Sequence, residues 1–140
     1  NALEVSQAKE FVSKMPSGIE EPISQGGTNV SGGQKQRLSI ARALVKNADI
    51  YIFDDTFSAL DYHTDALLRE ALNKMVKEKH STVFIVAQRI SSIMHADKII
   101  VLDQGKIVGN GTHAELMKNC PVYQEIAYSQ LSRKELAVNE

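Results

Sequence analysis

The sequence has one cysteine, three prolines and no tryptophan in 140 residues. Cys120 has no second thiol to pair with, which excludes an internal disulfide and a zinc knuckle and fits a reducing compartment. Its expected role is packing at a helix end. Three prolines and eight glycines are too few for a disordered or collagen-like chain. No charge of one sign prevails either: 16 basic against 17 acidic side chains leave a net charge of −1, which argues against a general nucleic-acid binder. Long hydrophobic runs are missing as well. The apolar stretches fall well short of the roughly 18 to 20 residues that cross a bilayer, and no charged-then-apolar leader is apparent, so nothing here is expected to span a membrane unaided. His63, His80, His95 and His113 lack metal-ligand spacing and read as surface or cap residues.

What is present is a globular alternation of helix and strand. Ala2, Val5, Ala8 and Val12, with Leu3 and Phe11 beside them, predict helix that is already under way at Asn1, as expected of a piece of a longer chain. From Met15 to Asn29 the period is lost among Pro16, Gly18, Pro22, Gly26 and Gly27, which reads as loop. Ser31-Gly32-Gly33-Gln34 then has the form of a capping box and predicts a helix over 32–45, with Leu38, Ala41 and Val45 sharing a face. Two glycines in a first turn cost about 1 kcal/mol each relative to alanine. A compensating use is available: the N-terminus of a helix carries about half a positive charge, and bare glycines let an anionic phosphate approach its amides. An ordinary capped helix after a flexible loop is the plainer alternative.

Ile50-Tyr51-Ile52-Phe53 predicts a strand buried on both faces of a parallel sheet, ending in Asp54-Asp55. Ligands bind at that edge of open α/β sheets, where one carboxylate can hold Mg²⁺ and its neighbour can polarise water. A solvated turn would explain the pair equally well. A helix follows over about 64–78, with Leu67, Leu68, Ala71, Leu72, Met75 and Val76 on one face and Lys74, Lys77 and Lys79 in its last turn. Thr82 to Ala87 repeats the buried-strand pattern, so a right-handed crossover should bring Asp54, Asp55 and Gln88 to one sheet edge. Beyond a short helix near Ser91 to His95, Lys98–Leu102 and Lys106–Val108 flank an Asp103-Gln104-Gly105 turn as a hairpin. Thr112 with Glu115 caps a helix through Asn119, and Pro121 opens another.

Taken together, Val30-Ser31-Gly32-Gly33-Gln34, Ile50 to Asp54, Ser58 to Asp61 and Gln88 resemble, in order and spacing, the C-terminal part of an ATP-binding-cassette (ABC) transporter nucleotide-binding domain of the exporter type. They correspond to that family's signature (usually Leu-Ser-Gly-Gly-Gln), Walker B strand, D-loop and switch histidine. The resemblance covers nearly the whole chain. It implies an α/β fold, a core fragment of a P-loop NTPase (RecA-like) with a mainly parallel sheet, joined to part of the helical signature subdomain. Residues 1–47 would form the helical part with the coupling loop and signature helix, 48–118 the core part, and 119–140 a C-terminal helix and tail. No Gly-x-x-x-x-Gly-Lys-Ser/Thr loop and no aromatic residue to stack on adenine occur, so these would lie before Asn1 and the fragment alone is expected neither to bind ATP tightly nor to hydrolyse it.

The resemblance also assigns roles. Asp54 would hold Mg²⁺, Asp55 and Gln88 would be catalytic, and Ser31, Gly32, Gly33, Gln34, Ser58 and Asp61 would contact ATP across a head-to-tail dimer. Departures from the family pattern refine this. Asp55 stands where a Glu is usual, and a carboxylate withdrawn by one methylene positions water poorly. Gln88 replaces a histidine, so it can donate a hydrogen bond to a phosphate but cannot become cationic. Gln25 stands where a Glu usually meets the transmembrane domains. The implied protein is the energy-converting half of a heterodimeric exporter on the cytoplasmic side of the cell membrane. Its own site would be degenerate while its signature completes the ATP site of a second nucleotide-binding domain, with transmembrane domains, not nucleic acid, as further partners. Two alternatives stand beside it: a soluble cassette ATPase of DNA repair or chromosome maintenance, and a half that binds nucleotide without turnover.

Overall fold

A computed structural model describes residues 1–131; the polar tail expected from Ser132 lies outside the described residues. The chain falls into two compact units, residues 1–86 and the part from Ala87 onward. Mixed α/β structure with a parallel strand pair agrees with the fold class read from the sequence.

In the first unit, helices α1 (Ala2–Val5) and α2 (Lys9–Ser13) replace the single N-terminal helix the apolar spacing predicts. The break is at Gln7, whose backbone is left-handed (φ 57°) and whose carbonyl accepts a hydrogen bond from Arg37 Nη1 at 2.8 Å instead of continuing the helix ladder. The loop over 15–29 contains two short 3₁₀ turns, Gly18–Glu20 and Gln25–Gly27. Helix α3 spans Gly32–Val45 as predicted, but it buries Ile40, Ala41 and Leu44. Val45, expected on the same apolar face, is 74% exposed, because the face in contact is set by what α3 packs on and not by helical spacing alone.

Strand β1 (Ile50–Asp54) and strand β2 (Thr82–Val86) pair in parallel, Ile50 opposite Thr82 and Asp54 opposite Val86, joined by α4 (Tyr62–Lys79). This is the strand–helix–strand crossover the sequence predicts. One face of the pair carries Tyr51 and Phe53, which pack with Phe57 and Leu60 against Ile40 and Leu44 of α3 and Leu68, Leu72 and Met75 of α4, with Val83 and Ile85 at the margin. Each such side chain contributes about 1.5–3 kcal/mol of burial. The expectation of a strand buried on both faces is corrected: Ile50 and Ile52 are 57% and 72% exposed, and Phe84 and Val86 on the same side are 52% and 54% exposed. Successive strand residues point to opposite faces, and among the described residues of the first unit the helices pack on the Tyr51–Phe53 face.

In the second unit, β3 (Ile99–Asp103) and β4 (Lys106–Gly111) form an antiparallel hairpin with a bulge between Val101 and Leu102. Gln104 (φ 44°) and Gly105 (φ 77°) both adopt positive φ, the two-residue turn that matches strand twist. The short helix expected near Ser91 is a single 3₁₀ turn at Ile90–Ser92. Helices α5 (His113–Asn119) and α6 (Pro121–Gln130) start where the Thr112–Glu115 capping box and Pro121 predict. Their core joins Leu116, Cys120, Tyr123 and Ala127 to Ile90, Ile99 and Val101, so Cys120 packs at a helix end as expected. His113 departs from its surface reading. It is 6% exposed, and its Nδ1 lies 2.8 Å from the Tyr123 hydroxyl. A histidine at N1 of α5 is carried inward because α6 folds back over it.

Candidate functional site

The tip of α3 is built as its sequence implies. Ser31 is in extended conformation, its Oγ accepts the Gln34 N–H at 3.2 Å, and Gln34 Oε1 accepts the Ser31 N–H at 2.9 Å. The Ser31 hydroxyl and Gln34 amide, both assigned to nucleotide contact from the sequence, are thus engaged in closing the helix. With the Gln34 N–H taken by Ser31 Oγ, the Gly32 and Gly33 N–H groups are the first-turn amides that have no intrahelical acceptor and point out along the axis.

The two glycines differ. A Cβ on Gly33 would lie 3.1 Å from the Ala59 carbonyl oxygen and 3.8 Å from Leu60 Cδ2, so Gly33 allows the helix tip to close on the loop after β1. A Cβ on Gly32 would meet nothing nearer than Ala59 Cβ at 3.9 Å. Nothing in the packing requires a glycine at 32, and its bare backbone leaves room for an anion at the helix end.

Asp54 and Asp55 leave the C-terminal end of β1 with both side chains exposed. Asp55 is held by its backbone: its N–H donates to Val86 O at 3.2 Å, its carbonyl accepts from Ser58 Oγ at 3.1 Å, and its φ of 46° is left-handed, a region Asp tolerates better than most residues. Thr56 Oγ1 donates to the Asp54 carbonyl at 3.2 Å. The strand end thus presents two carboxylates from a braced turn. Among the described residues no three ligating side chains cluster for a metal. A lone carboxylate suits an ion that keeps water and takes its other ligands from a phosphate chain, as Mg²⁺ does.

Ser58 joins this site through its hydroxyl, whereas Asp61 is occupied elsewhere. Its Oδ1 accepts the Thr64 N–H at 2.9 Å and its Oδ2 accepts the Thr64 hydroxyl at 2.7 Å, capping α4. Those two bonds from Thr64 hold its carboxyl below the usual range. Gln25 opens an exposed turn in which Gly26 (φ 74°) and Gly27 (φ 69°) are left-handed. Lys35 Nζ donates to Gly26 O at 2.7 Å, and Asn29 ties the turn's flank through Pro22 O at 2.9 Å and Ser24 N at 3.1 Å, so the segment is more ordered than its composition suggests. In the second unit Gln88 has an exposed side chain, and its carbonyl accepts from Gln130 Nε2 at 2.8 Å. Gln130 Oε1 also accepts the Ile90 N–H at 2.9 Å.

Two participants escaped the sequence reading. Gln36 Oε1 accepts the Ala59 N–H at 3.0 Å and Gln36 Nε2 donates to Ser58 Oγ at 3.3 Å, joining α3 to the turn after β1. Its place three residues after Gly33, on the same helix face, was the available signal. Gln130 carried no local signal, being 42 residues from the carbonyl it binds.

Comparisons with known proteins bear on this arrangement. A family profile described as ABC transporter matches residues 4–58. An uncharacterized ABC transporter ATP-binding protein of Mycobacterium tuberculosis is 50% identical over 92% of this chain and 22% of its own length. An ATP-dependent lipid A-core flippase of Albidiferax ferrireducens is 43% identical over the same shares of the two chains. The solved structure of a bacterial Atm1-family ABC exporter with ATP bound superposes with a TM-score of 0.88 and 34% identity, covering 94% of this chain and 23% of that one. The chain thus spans about a fifth of the length of the curated relatives it matches.

Proposed function

Because this chain belongs to the ABC transporter family and forms part of its ATP-binding domain, we propose that it serves an ATP-driven exporter in which its α3 tip completes the ATP site of a partner domain. Its own site, built on Asp54 and Asp55, turns over slowly. The observation that carries this reading is the contrast at the helix tip. The cap is fully formed, yet Gly32 keeps the axis open where no packing demands it. Free amides and the helix dipole there favour the γ-phosphate of a triphosphate seated on the other subunit.

Asp54 is the residue that would hold Mg²⁺, which supplies charge neutralisation to the phosphates when bound. Asp55 is the general-base candidate. Its backbone is braced, but its carboxylate reaches one methylene less far than glutamate, and about 1 Å of misplacement can cost on the order of 100-fold in rate. Gln88 contributes a neutral amide that can donate to a phosphate oxygen but cannot carry a proton. Ser58 acts through the turn it closes, and Asp61 acts by fixing the start of α4. The exposed Gln25 turn, tied to α3 by Lys35, is suited to touch a transmembrane partner through a neutral side chain.

The test is ATP turnover by the full-length protein assembled with its partner domain. Replacing Gly33 by a bulky residue should abolish most turnover, while Asp55→Asn should change it modestly. Equal losses from the two substitutions would defeat the division of labour. A second reading, a half that binds nucleotide without any turnover in its assembly, is favoured by Asp55 and Gln88 together; a measurable ATPase rate abolished by the Gly33 substitution would discard it.

A further inference from the structure

We propose that Gln36 is a positioning residue that couples the two ATP sites, tying the α3 tip that serves the partner's nucleotide to the turn that carries this chain's own Asp55. The inference rests on the exporter reading above. Ala59 offers an N–H, which can only donate, so the amide atom facing it at 3.0 Å is Oε1. That fixes the amide orientation and leaves Nε2 to donate to Ser58 Oγ at 3.3 Å. Ser58 Oγ has one proton, and it is donated to the Asp55 carbonyl at 3.1 Å. A continuous relay therefore runs from Gln36 through Ser58 to the backbone of Asp55.

Two further facts make this relay short and stiff. Gln36 lies one helical turn behind Gly33, whose missing side chain lets Ala59 O approach the helix, so the glutamine reaches the loop at hydrogen-bond distance. The Asp55 carbonyl belongs to a residue in left-handed conformation, with φ 46°, where loss of a carbonyl partner releases the backbone toward commoner conformations. A shift of the loop is thereby felt at the helix tip, and a ligand pressing on the tip is felt at Asp55. Hydrogen bonds in such chains strengthen one another, so breaking one link weakens the rest.

The experiment is ATPase kinetics of the full-length protein with its partner domain, comparing wild type with Gln36→Ala, Gln36→Glu, Ser58→Ala and the Gln36→Ala/Ser58→Ala double variant. Wild-type turnover must be present first; its absence would sink the exporter reading, not the relay. Gln36→Ala should lower kcat by about 10-fold or more, since small displacements of reacting groups are costly, while KM for ATP changes less than about threefold. Gln36→Glu keeps the acceptor for the Ala59 N–H and should recover part of the loss, and it also serves as the folded comparison if the alanine variant is poorly soluble. The double variant should be no worse than the more damaged single one, because both cut the same path. A kcat for Gln36→Ala within twofold of wild type, a Gln36→Glu variant as damaged as Gln36→Ala, or multiplicative losses in the double variant would each overturn the proposal.

Discussion

Replacing Gly32 by alanine separates a helix that is merely capped from one that is kept bare for a ligand. Glycine at a helical position costs about 0.5–1 kcal/mol relative to alanine, mostly through backbone entropy. The new methyl would find only ordinary contact, Ala59 Cβ at 3.9 Å, so no strain offsets the gain. Gly32→Ala should therefore raise stability by about 0.5–1 kcal/mol, a shift of a few degrees in melting temperature for a domain of this size. Gly33→Ala is the internal control. Its Cβ would sit 3.1 Å from the Ala59 carbonyl oxygen, a backbone atom that must move by a few tenths of an ångström, and the overpacking cost of about 1–3 kcal/mol should cancel or reverse the helix gain. The first assay is urea unfolding followed by circular dichroism, with the midpoint and slope read separately. The second is ATP turnover in the full-length assembly, where a methyl standing between helix amides and phosphate should cost on the order of 100-fold if it displaces the reacting groups by about 1 Å. A Gly32→Ala protein that is more stable and hydrolyses ATP within twofold of wild type would refute the reasoning, because then nothing needs the open tip.

Other expectations concern the packing and titration of each unit. Gly109→Ala would place a Cβ 2.8 Å from Cys120 Sγ and 3.0 Å from Leu116 Cδ2, so the urea midpoint should fall by the equivalent of about 1–3 kcal/mol. Leu72→Ala removes a side chain that is 2% exposed in the core under β1 and should cost about 2–5 kcal/mol in the same assay. Burial, and to a lesser degree the charge of His95, holds His113 below its ordinary value of 6.5. The unfolded chain therefore binds a proton at His113 more readily than the folded one. The stability tied to this residue is complete above about pH 6.5 and declines as pH falls toward the depressed folded value. His113→Phe should flatten that part of the stability–pH curve, and an unchanged slope would assign it to another group. Tyr123, whose hydroxyl faces His113, has its own titration pushed up to about 12 by burial and stays neutral throughout this range.

Much of the site was legible in sequence because its parts are local. The Ser31–Gln34 and Thr112–Glu115 boxes each close within one helical turn, and the chemistry of four residues suffices to place both helix starts. The Gln104-Gly105 turn and the Asp54-Asp55 strand end are likewise readable from short patterns. Asp61 shows where such reading stops. A motif position assigned to nucleotide contact spends both carboxylate oxygens on Thr64, a role visible only once the start of α4 is known. Gln36 carries no such local mark, because a glutamine inside a helix looks like a solvated side chain until the turn after β1 comes to rest on it.

The longer helices and the strands, the two capping boxes and the order of the motifs were determined by the sequence itself, since backbone preference and short-range hydrogen bonds act within a few residues. Tertiary structure alone decided which face of β1 is covered, that Val45 stays in solvent, that His113 goes inside against Tyr123, and that Gln36 and Gln130 each clasp a distant backbone. Those outcomes depend on contacts between residues far apart in the chain, and such contacts are selected by the fit of whole surfaces, which no local pattern encodes.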